Sequence, residues 1–140
     1  MMLVLAVESA GPRPGVALAT EKGLLDEALV EVGARPGKHL VPLLELLLRR
    51  RGLSIEALDL YAVDVGPGSF TGIRVGLASV KALALVHPRP AMAVSSLEAM
   101  AWGCPSESED VAPVLHSHRD LFYIARFGWE AGRIERRMRD

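Results

Sequence analysis

The stretch that decides the fold is DVGPGSFTGIRVG, which runs from Asp64 to Gly76. The apolar run LDLYAV leads into it, and the apolar run LASVKALALV follows it. A buried strand that enters a glycine-rich turn and continues as a helix is a typical unit of α/β proteins. The stretch therefore predicts a strand, a tight turn and a long helix in succession.

Three short runs before this stretch predict strands. Leu3 to Val7 is apolar, GVALAT follows a turn-forming segment, and LLDEALVEV comes after the turn residues EKG. The segment KHLVPLLELLLRRR, from Lys38 to Arg51, has the pattern of a helix that ends at Gly52. The chain therefore begins with strands joined by turns, and a helix follows them.

Helix and strand alternate after the central stretch. Ile73 to Val86 predicts the long helix, AMAVS predicts a fifth strand, and SSLEAMAWG predicts a short helix that Ser95 or Ser96 can cap. Three antiparallel strands followed by alternating helices and strands predict an α/β fold with a mixed five-stranded sheet.

The polar segment CPSESED predicts a linker at residues 104–110. Residues 1–103 then form a first lobe, and residues 111–140 form a small second lobe. Within the second lobe, VAPVLHSHRDLFYIARF predicts two strands around a polar turn, and GWEAGRIERRMRD predicts a hairpin continuation or a frayed tail.

Composition excludes several function classes. Half of the 140 residues are apolar, which supports a packed core, and 16 basic residues against 17 acidic ones give no strong field to attract nucleic acid. The single Cys104 argues against a disulfide framework or a cysteine-rich zinc site and fits a reducing compartment. The apolar N-terminal run reaches Glu8 too soon for a signal peptide or a membrane span. We therefore expect a cytoplasmic protein with no membrane association.

The glycine-rich turn has two interpretations. Free backbone N–H groups at a helix start, with nearby hydroxyl groups, can bind a phosphate or a nucleotide. The alternative is a structural turn, in which glycines permit positive φ and a hydroxyl caps the helix. The stretch matches neither of the common nucleotide-binding fingerprints, so the residues alone favour the structural turn. The candidate anion-binding residues are Gly66, Gly68, Ser69, Thr71 and Gly72.

Both long helices have wider apolar faces than one contact with a sheet requires. The leucines of the first helix cover an arc of roughly 220°, and the second helix has charged side chains only at Arg74 and Lys81. A second apolar face needs a further helix layer, which another protein chain can supply. The candidate partner-interface residues are Leu40, Val41, Leu44, Leu47, Leu48, Ile73, Gly76, Leu77, Val80 and Leu83.

The block GPGSFTGIRVG, together with LVLAVES, HLVPLLELLL, VSSLEAMA and PVLHSHRDLFY, resembles the TsaB (YeaZ) family over Leu3 to Tyr123. These are M22 glycoprotease-like proteins of the tRNA threonylcarbamoyladenosine pathway. The resemblance implies an RNase H-like, actin-like ATPase lobe and a cytoplasmic, non-catalytic partner of the TsaD subunit, which modifies the adenosine next to the anticodon in tRNAs reading A-starting codons. It also implies the TsaE ATPase as a further partner, a homodimer formed through the two long helices when the chain is alone, and contact with tRNA only through the complex.

Departures from the family pattern bear on catalysis. The catalytic paralogue holds its metal with a His-x-x-x-His pair, whereas here His39 is followed four residues on by Leu43. The family usually has Asp-Thr-Ser after its first strand, where this chain has Glu8 and Ser9, a change that counts against an ATPase-type role. The second lobe is shorter than is usual in the family. We therefore expect no catalytic residue, no cofactor and no metal.

Three less favoured readings remain. His116 and His118 lie two residues apart, so on one strand they would share a face and could bind zinc with a third ligand. A nucleotide- or phosphate-binding enzyme of the actin-like ATPase superfamily is the alternative function. A peptidase is suggested only by the family's label, and the sequence offers no triad to support it.

Overall fold

The computed structural model describes residues 1–30, 36–104 and 110–137. The first lobe contains β1 (Val4–Glu8), β2 (Gly15–Thr20), β3 (Gly23–Leu29), α1 (Leu40–Arg51), β4 (Leu60–Asp64), α2 (Phe70–Val86), β5 (Ala91–Val94) and α3 (Ser96–Trp102). The later strands are β6 (Asp110–Val111), β7 (Val114–His116), β8 (Phe122–Ile124), β9 (Phe127–Glu130) and β10 (Arg133–Arg136).

The first five strands form one mixed sheet in the order β3-β2-β1-β4-β5. β1 pairs antiparallel with β2 and parallel with β4, and β4 pairs parallel with β5. The predicted α/β fold with a mixed five-stranded sheet is confirmed. The predicted third strand ran to Val32, and its last two residues lie outside the described part of the chain.

Buried and less buried residues alternate along β1, so one face of the sheet is covered. Leu5 and Val7 of β1 and Leu18 of β2 are buried, as are Tyr61 and Val63 of β4. Side chains of successive strand residues point to opposite faces, so these residues form one continuous apolar surface. This surface carries the main core.

Both long helices cover that face. α1 packs on β2 and β3, and α2 packs on β4 and β1. Leu44 and Leu47 of α1 and Val80 of α2 join the core cluster of the strands. α1 ends at Gly52, whose φ of 62° is the left-handed conformation that glycine adopts without strain.

The second lobe is built around one long bent hairpin. β6 pairs with β9, β7 pairs with β8, and β10 extends the first pair as a third antiparallel strand. The predicted pair of strands and the hairpin continuation are therefore confirmed. Residues 105–109 of the predicted linker lie outside the described part, and the predicted domain boundaries stay a prediction.

Several predicted details differ from the structure. α2 begins at Phe70 and not at Ile73, because Ser69 caps it and its side chain accepts a hydrogen bond from the Gly72 N–H at 3.1 Å. The N-cap of α3 is Ser95, but its side chain makes no capping hydrogen bond. In the ranges described, no helix is long and apolar enough to cross a membrane.

Candidate functional site

A cleft of about 830 Å³ lies between the two lobes. We call it the cleft throughout. Its first-lobe wall comes from the ends of β1 and β4, the turn after β1, the glycine-rich turn and α3, and its second-lobe wall comes from β7 and β8. Its lining residues are Glu8, Ala10, Gly11, Pro12, Arg13, Asp64, Pro67, Gly68, Ser69, Ser96, Ala99, Met100, Leu115, His116, Ser117 and Tyr123.

Two carboxyl groups meet in the cleft. Glu8 ends β1 and Asp64 ends β4, and these are parallel neighbours in which Val7 pairs with Val63. The carboxyl ends of parallel strands lie at one edge of a sheet, so both side chains project from the same face there. Asp64 is close enough to contribute to the raised pKa of Glu8.

Asp64 is buried, and two donors contact its carboxylate. Its Oδ1 accepts the Gly66 N–H at 2.6 Å. The Ser96 hydroxyl lies 2.7 Å from Oδ1 and 2.8 Å from Oδ2. The end of β4 is thereby joined to the start of α3.

Glu8 holds its proton more tightly than an ordinary glutamate. Burial is the largest cause, and the hydrogen bond with Asp64 is the second; together they raise the pKa of Glu8 to about 7. The Gly11 N–H donates to Glu8 Oε1 at 2.7 Å and acts in the opposite direction. Near neutral pH the Glu8 carboxyl group is therefore partly protonated.

The glycine-rich turn packs against the turn that follows β1. Ser69 N–H donates to the Ala10 carbonyl at 2.8 Å, and the Ser9 hydroxyl donates to the Gly72 carbonyl at 2.7 Å. A Cβ on Gly72 would overlap the carbonyl oxygen of Ser9, and one on Gly68 would press on Ala10. The glycines allow this close backbone contact, which supports the structural-turn interpretation.

The candidate anion-binding residues do not form one cradle. Gly68 and Ser69 line the cleft, whereas Gly66, Thr71 and Gly72 do not. The Gly66 N–H is bonded to Asp64, the Gly72 N–H is bonded to Ser69, and Thr71 is exposed. Only Gly68 and Ser69 of the five candidates therefore face the cleft, and anion binding by this stretch stays a prediction.

A second concavity, of about 900 Å³, lies between α1 and α2. We call it the groove. Its lining includes Val41 and Leu48 of α1, and Ser79, Ala82 and Val86 of α2. Its wall is mainly apolar, with Glu45, Arg49, Glu56 and His87 as its ionisable members.

The structure divides the candidate interface residues into two sets. Val41 is exposed, and Ile73, Leu77 and Leu83 are half-buried. The others are buried in the chain's own fold, and Leu47 is 0% exposed. The residues that are buried and do not line the groove are Leu40, Leu47, Gly76 and Val80, whereas Leu44 and Leu48 are buried but also line the groove.

The two neighbouring histidines do not share a strand. β7 ends at His116, and His118 lies in the turn that follows. His116 Nε2 donates to the Arg119 carbonyl at 2.8 Å, and His118 Nδ1 lies 3.0 Å from the Ser117 hydroxyl. The prediction that both histidines point from one strand face is wrong, because the strand stops first.

Sequence reasoning did not assign Asp64 and Ser96 to a site. Both were placed correctly on their elements, one at a strand end and one at a helix start. The signal available in the sequence was that a carboxylate residue stands at the end of each of two predicted apolar strands, Glu8 in one and Asp64 in the other. Recognising the pair also requires that these two strands be neighbours.

The chain is similar to proteins of one tRNA-modification pathway. A family model described as TsaD, tRNA N6-adenosine threonylcarbamoyltransferase, matches residues 35–138. TsaB of Bacillus subtilis, a tRNA threonylcarbamoyladenosine biosynthesis protein, is 28% identical over 134 residues, which cover 96% of this chain and 58% of that protein. The tRNA N6-adenosine threonylcarbamoyltransferase of Erythrobacter litoralis is 33% identical over 117 residues, covering 72% of this chain and 34% of that protein.

A solved structure agrees with these relatives. YeaZ from Pseudomonas aeruginosa matches with a TM-score of 0.87 at 30% identity, over 99% of this chain and 65% of that one. The chain thus spans less than two thirds of the length of these relatives.

The sheet order, the two helices on one face and the cleft at the strand ends define an RNase H-like, actin-like lobe. The chain belongs to the TsaD family, and within it to the TsaB (YeaZ) group.

Proposed function

We propose that this chain is a non-catalytic partner subunit in the threonylcarbamoylation of tRNA. It associates with a TsaD-type transferase, and tRNA is contacted only through that complex. The names of its relatives support this pathway, since they are biosynthesis proteins and transferases of the same modification. The relatives named as transferases are matched over a smaller share of their length than the B. subtilis TsaB protein is.

The groove between α1 and α2 carries the proposal. Helix pairs on a sheet usually close against each other, whereas here an apolar channel separates them. Val41 and Val86 are exposed large apolar side chains on its walls. A partner helix laid into this channel would bury them, and Ser79 and Ala82 are small enough to let its backbone approach closely.

A charge on the groove wall tests the proposal. Ala82→Glu or Val86→Glu should weaken association with the transferase subunit of the same organism by at least about tenfold, because a desolvated unpaired charge costs several kcal/mol. Both positions are exposed, so the isolated chain should keep its fold. Calorimetric titration or co-purification measures the loss.

Leu85→Glu is the matched control for these variants. Leu85 is 84% exposed on the same turn of α2 but does not line the groove. It should bind the transferase subunit as the unchanged chain does. Equal binding by the Ala82, Val86 and Leu85 variants would remove the groove from the interface.

The remaining features of the assembly extend the same proposal. The isolated chain forms a homodimer through the groove, and a TsaE-type ATPase joins the heteromeric complex in the cytoplasm. A homodimer and a heterodimer that share one surface exclude each other, so added transferase subunit should dissociate the homodimer. Light scattering on the isolated chain, and on the chain mixed with the transferase subunit, measures the mass of the complexes formed.

A nucleotide-binding enzyme is the second candidate, and the cleft is the observation that favours it. Gly68 and Ser69 line it beside the start of α2, as an anion site would require. The Glu8–Asp64 pair on the same wall opposes phosphate groups by its negative charge. We expect calorimetry with ATP and ADP on the isolated chain to give no saturable heat at micromolar concentrations, and clear binding there would favour the enzyme.

A further inference from the structure

β5 forms one edge of the main sheet, and among the described strands its neighbour is β4. The carbonyl groups of Pro90 and Val94 accept hydrogen bonds from backbone N–H groups of β4 and of the residue that follows it, each at 3.0 Å. Residues that bond towards a parallel neighbour alternate with residues that point away from it. Ala91 and Ala93 therefore direct their N–H and C=O groups out of the sheet edge.

The opposite edge of the sheet, β3, is protected against pairing with a further strand. The register between β2 and β3 shifts between Leu18 and Ala19, and β3 carries Asp26 and Glu27. Bulges and charged side chains are common means by which edge strands avoid such pairing. β5 has the sequence AMAV and pairs with β4 in an unbroken register, so it has neither form of protection.

The side chains of β5 leave room for a neighbouring strand. Ala91 and Ala93 are small and exposed, and Met92 is 49% exposed on the other face of the sheet. Arg89, two residues before the strand, is turned back towards the segment before β4, because its Nε donates to the Leu58 carbonyl at 2.7 Å. The free edge of β5 is therefore uncharged and largely apolar.

This edge is complementary to a second copy of itself. The two outward-facing residues, Ala91 and Ala93, lie symmetrically about Met92. A second copy related by a two-fold axis at Met92 would run antiparallel, with Ala91 of one chain opposite Ala93 of the other. Each such pair exchanges both of its N–H···O=C hydrogen bonds, and the two flexible Met92 side chains pack on each other. A two-fold interface requires this kind of self-complementary surface.

We propose that the β5 edge is a self-association surface, through which two copies of this chain join their sheets by antiparallel β5–β5 pairing. The pairing satisfies the outward backbone groups of Ala91 and Ala93 and covers Met92. β5 does not line the groove, so the two surfaces can be occupied at once. With a transferase subunit in the groove, as proposed above, β5 pairing would join two such complexes.

Disulfide formation at the two-fold axis tests the pairing. Cys104 is the single cysteine, so Met92→Cys with Cys104→Ser has one thiol. Residues that face each other in a non-hydrogen-bonded antiparallel pair have Cα atoms about 4.5 Å apart, which a disulfide can span. Leu85→Cys with Cys104→Ser is the collision control, because Leu85 is 84% exposed on α2.

Met92→Cys should form covalent dimers at least about tenfold faster than Leu85→Cys under a mild oxidant, because pairing raises the effective concentration of the second thiol. Non-reducing electrophoresis over a time course measures both rates. Equal rates would show that the two Met92 positions do not meet, and would overturn the proposal.

Two further variants test the register and the backbone hydrogen bonds. Ala91→Cys with Cys104→Ser should react no faster than Leu85→Cys, because the two copies of residue 91 are offset by more than the roughly 7 Å that a disulfide spans. Ala93→Pro, added to Met92→Cys, removes an outward N–H and should slow cross-linking towards the control rate, with circular dichroism unchanged. Fast reaction of Ala91→Cys, or a folded Ala93→Pro chain with an undiminished rate, contradicts the pairing. The comparison of Met92→Cys with Leu85→Cys does not depend on Ala93→Pro folding.

One more variant separates this surface from the groove. Ala82→Glu places a charge on the groove wall, and Met92→Cys should cross-link equally fast with or without it. If Ala82→Glu abolished the cross-link, a dimer formed through the groove would be its source, and β5 pairing would be wrong. Failure of the Met92→Cys cross-link alone would leave the proposed binding of the transferase subunit untouched.

Discussion

Leu47→Glu is expected to unfold the isolated chain. Leu47 lies on the sheet side of α1 and is 0% exposed. The variant removes a buried leucine, which costs about 2–5 kcal/mol, and introduces a carboxylate without a partner, which costs several kcal/mol more. Typical domains have a total stability of about 5–15 kcal/mol, so the loss is comparable with the whole. Circular dichroism and denaturant titration will measure it.

Leu46→Glu is the matched control, because the same change is made one residue away. Leu46 is 37% exposed and points away from the sheet. The Leu46 variant should unfold at nearly the same denaturant concentration as the unchanged chain. If the Leu47→Glu chain stayed folded but no longer bound the transferase subunit, Leu47 would have to be an interface residue. That result would contradict its burial against the sheet.

The difference between these neighbours explains what the helix pattern could predict. The pattern correctly indicated that α1 and α2 carry wide apolar faces, and wide faces need more than one contact. It could not say which leucines face the sheet, because that depends on how α1 is rotated on β2 and β3. Leu47 is fully buried for this reason, whereas Val41 is exposed and both Val41 and Leu44 line the groove. The interface itself stays a prediction.

The site was less predictable than the fold. Strands, helices and their order follow from local patterns, and these were correct with small shifts at their ends. The carboxyl pair requires that β1 and β4 be neighbours, and the attachment of Ser96 requires that α3 begin beside β4. Such contacts between distant parts of the chain leave no periodic signal in the sequence.

The glycine-rich stretch shows the same limit at single positions. Its composition predicted a turn and a helix start, and both are present. Position 72 requires glycine because the carbonyl oxygen of Ser9, in the turn after β1, occupies the place where a Cβ atom would lie. A phosphate cradle and a close backbone contact both require glycine, so composition alone could not separate them.

Gly72→Ala should therefore destabilise the chain strongly. Alanine is favoured over glycine inside a helix by about 1 kcal/mol, so the helix alone would gain from the change. The new methyl group would overlap backbone atoms of Ser9. Overpacking in a rigid interior costs about 1–3 kcal/mol and more where backbone must move, so the collision outweighs the gain. We expect a lower unfolding midpoint, measured by denaturant titration, and loss of the hydrogen bond from the Ser9 hydroxyl to residue 72.

Gly37→Ala provides the comparison, because a methyl group there would make only ordinary contact with Val75 at 3.6 Å. It should leave the unfolding midpoint almost unchanged. If Gly72→Ala were equally harmless, the turn after β1 would have to yield without cost, and close backbone packing could not be the reason for glycine at this position. The anion-binding interpretation of the stretch would then regain its main argument, since the glycine would again need a ligand to explain it.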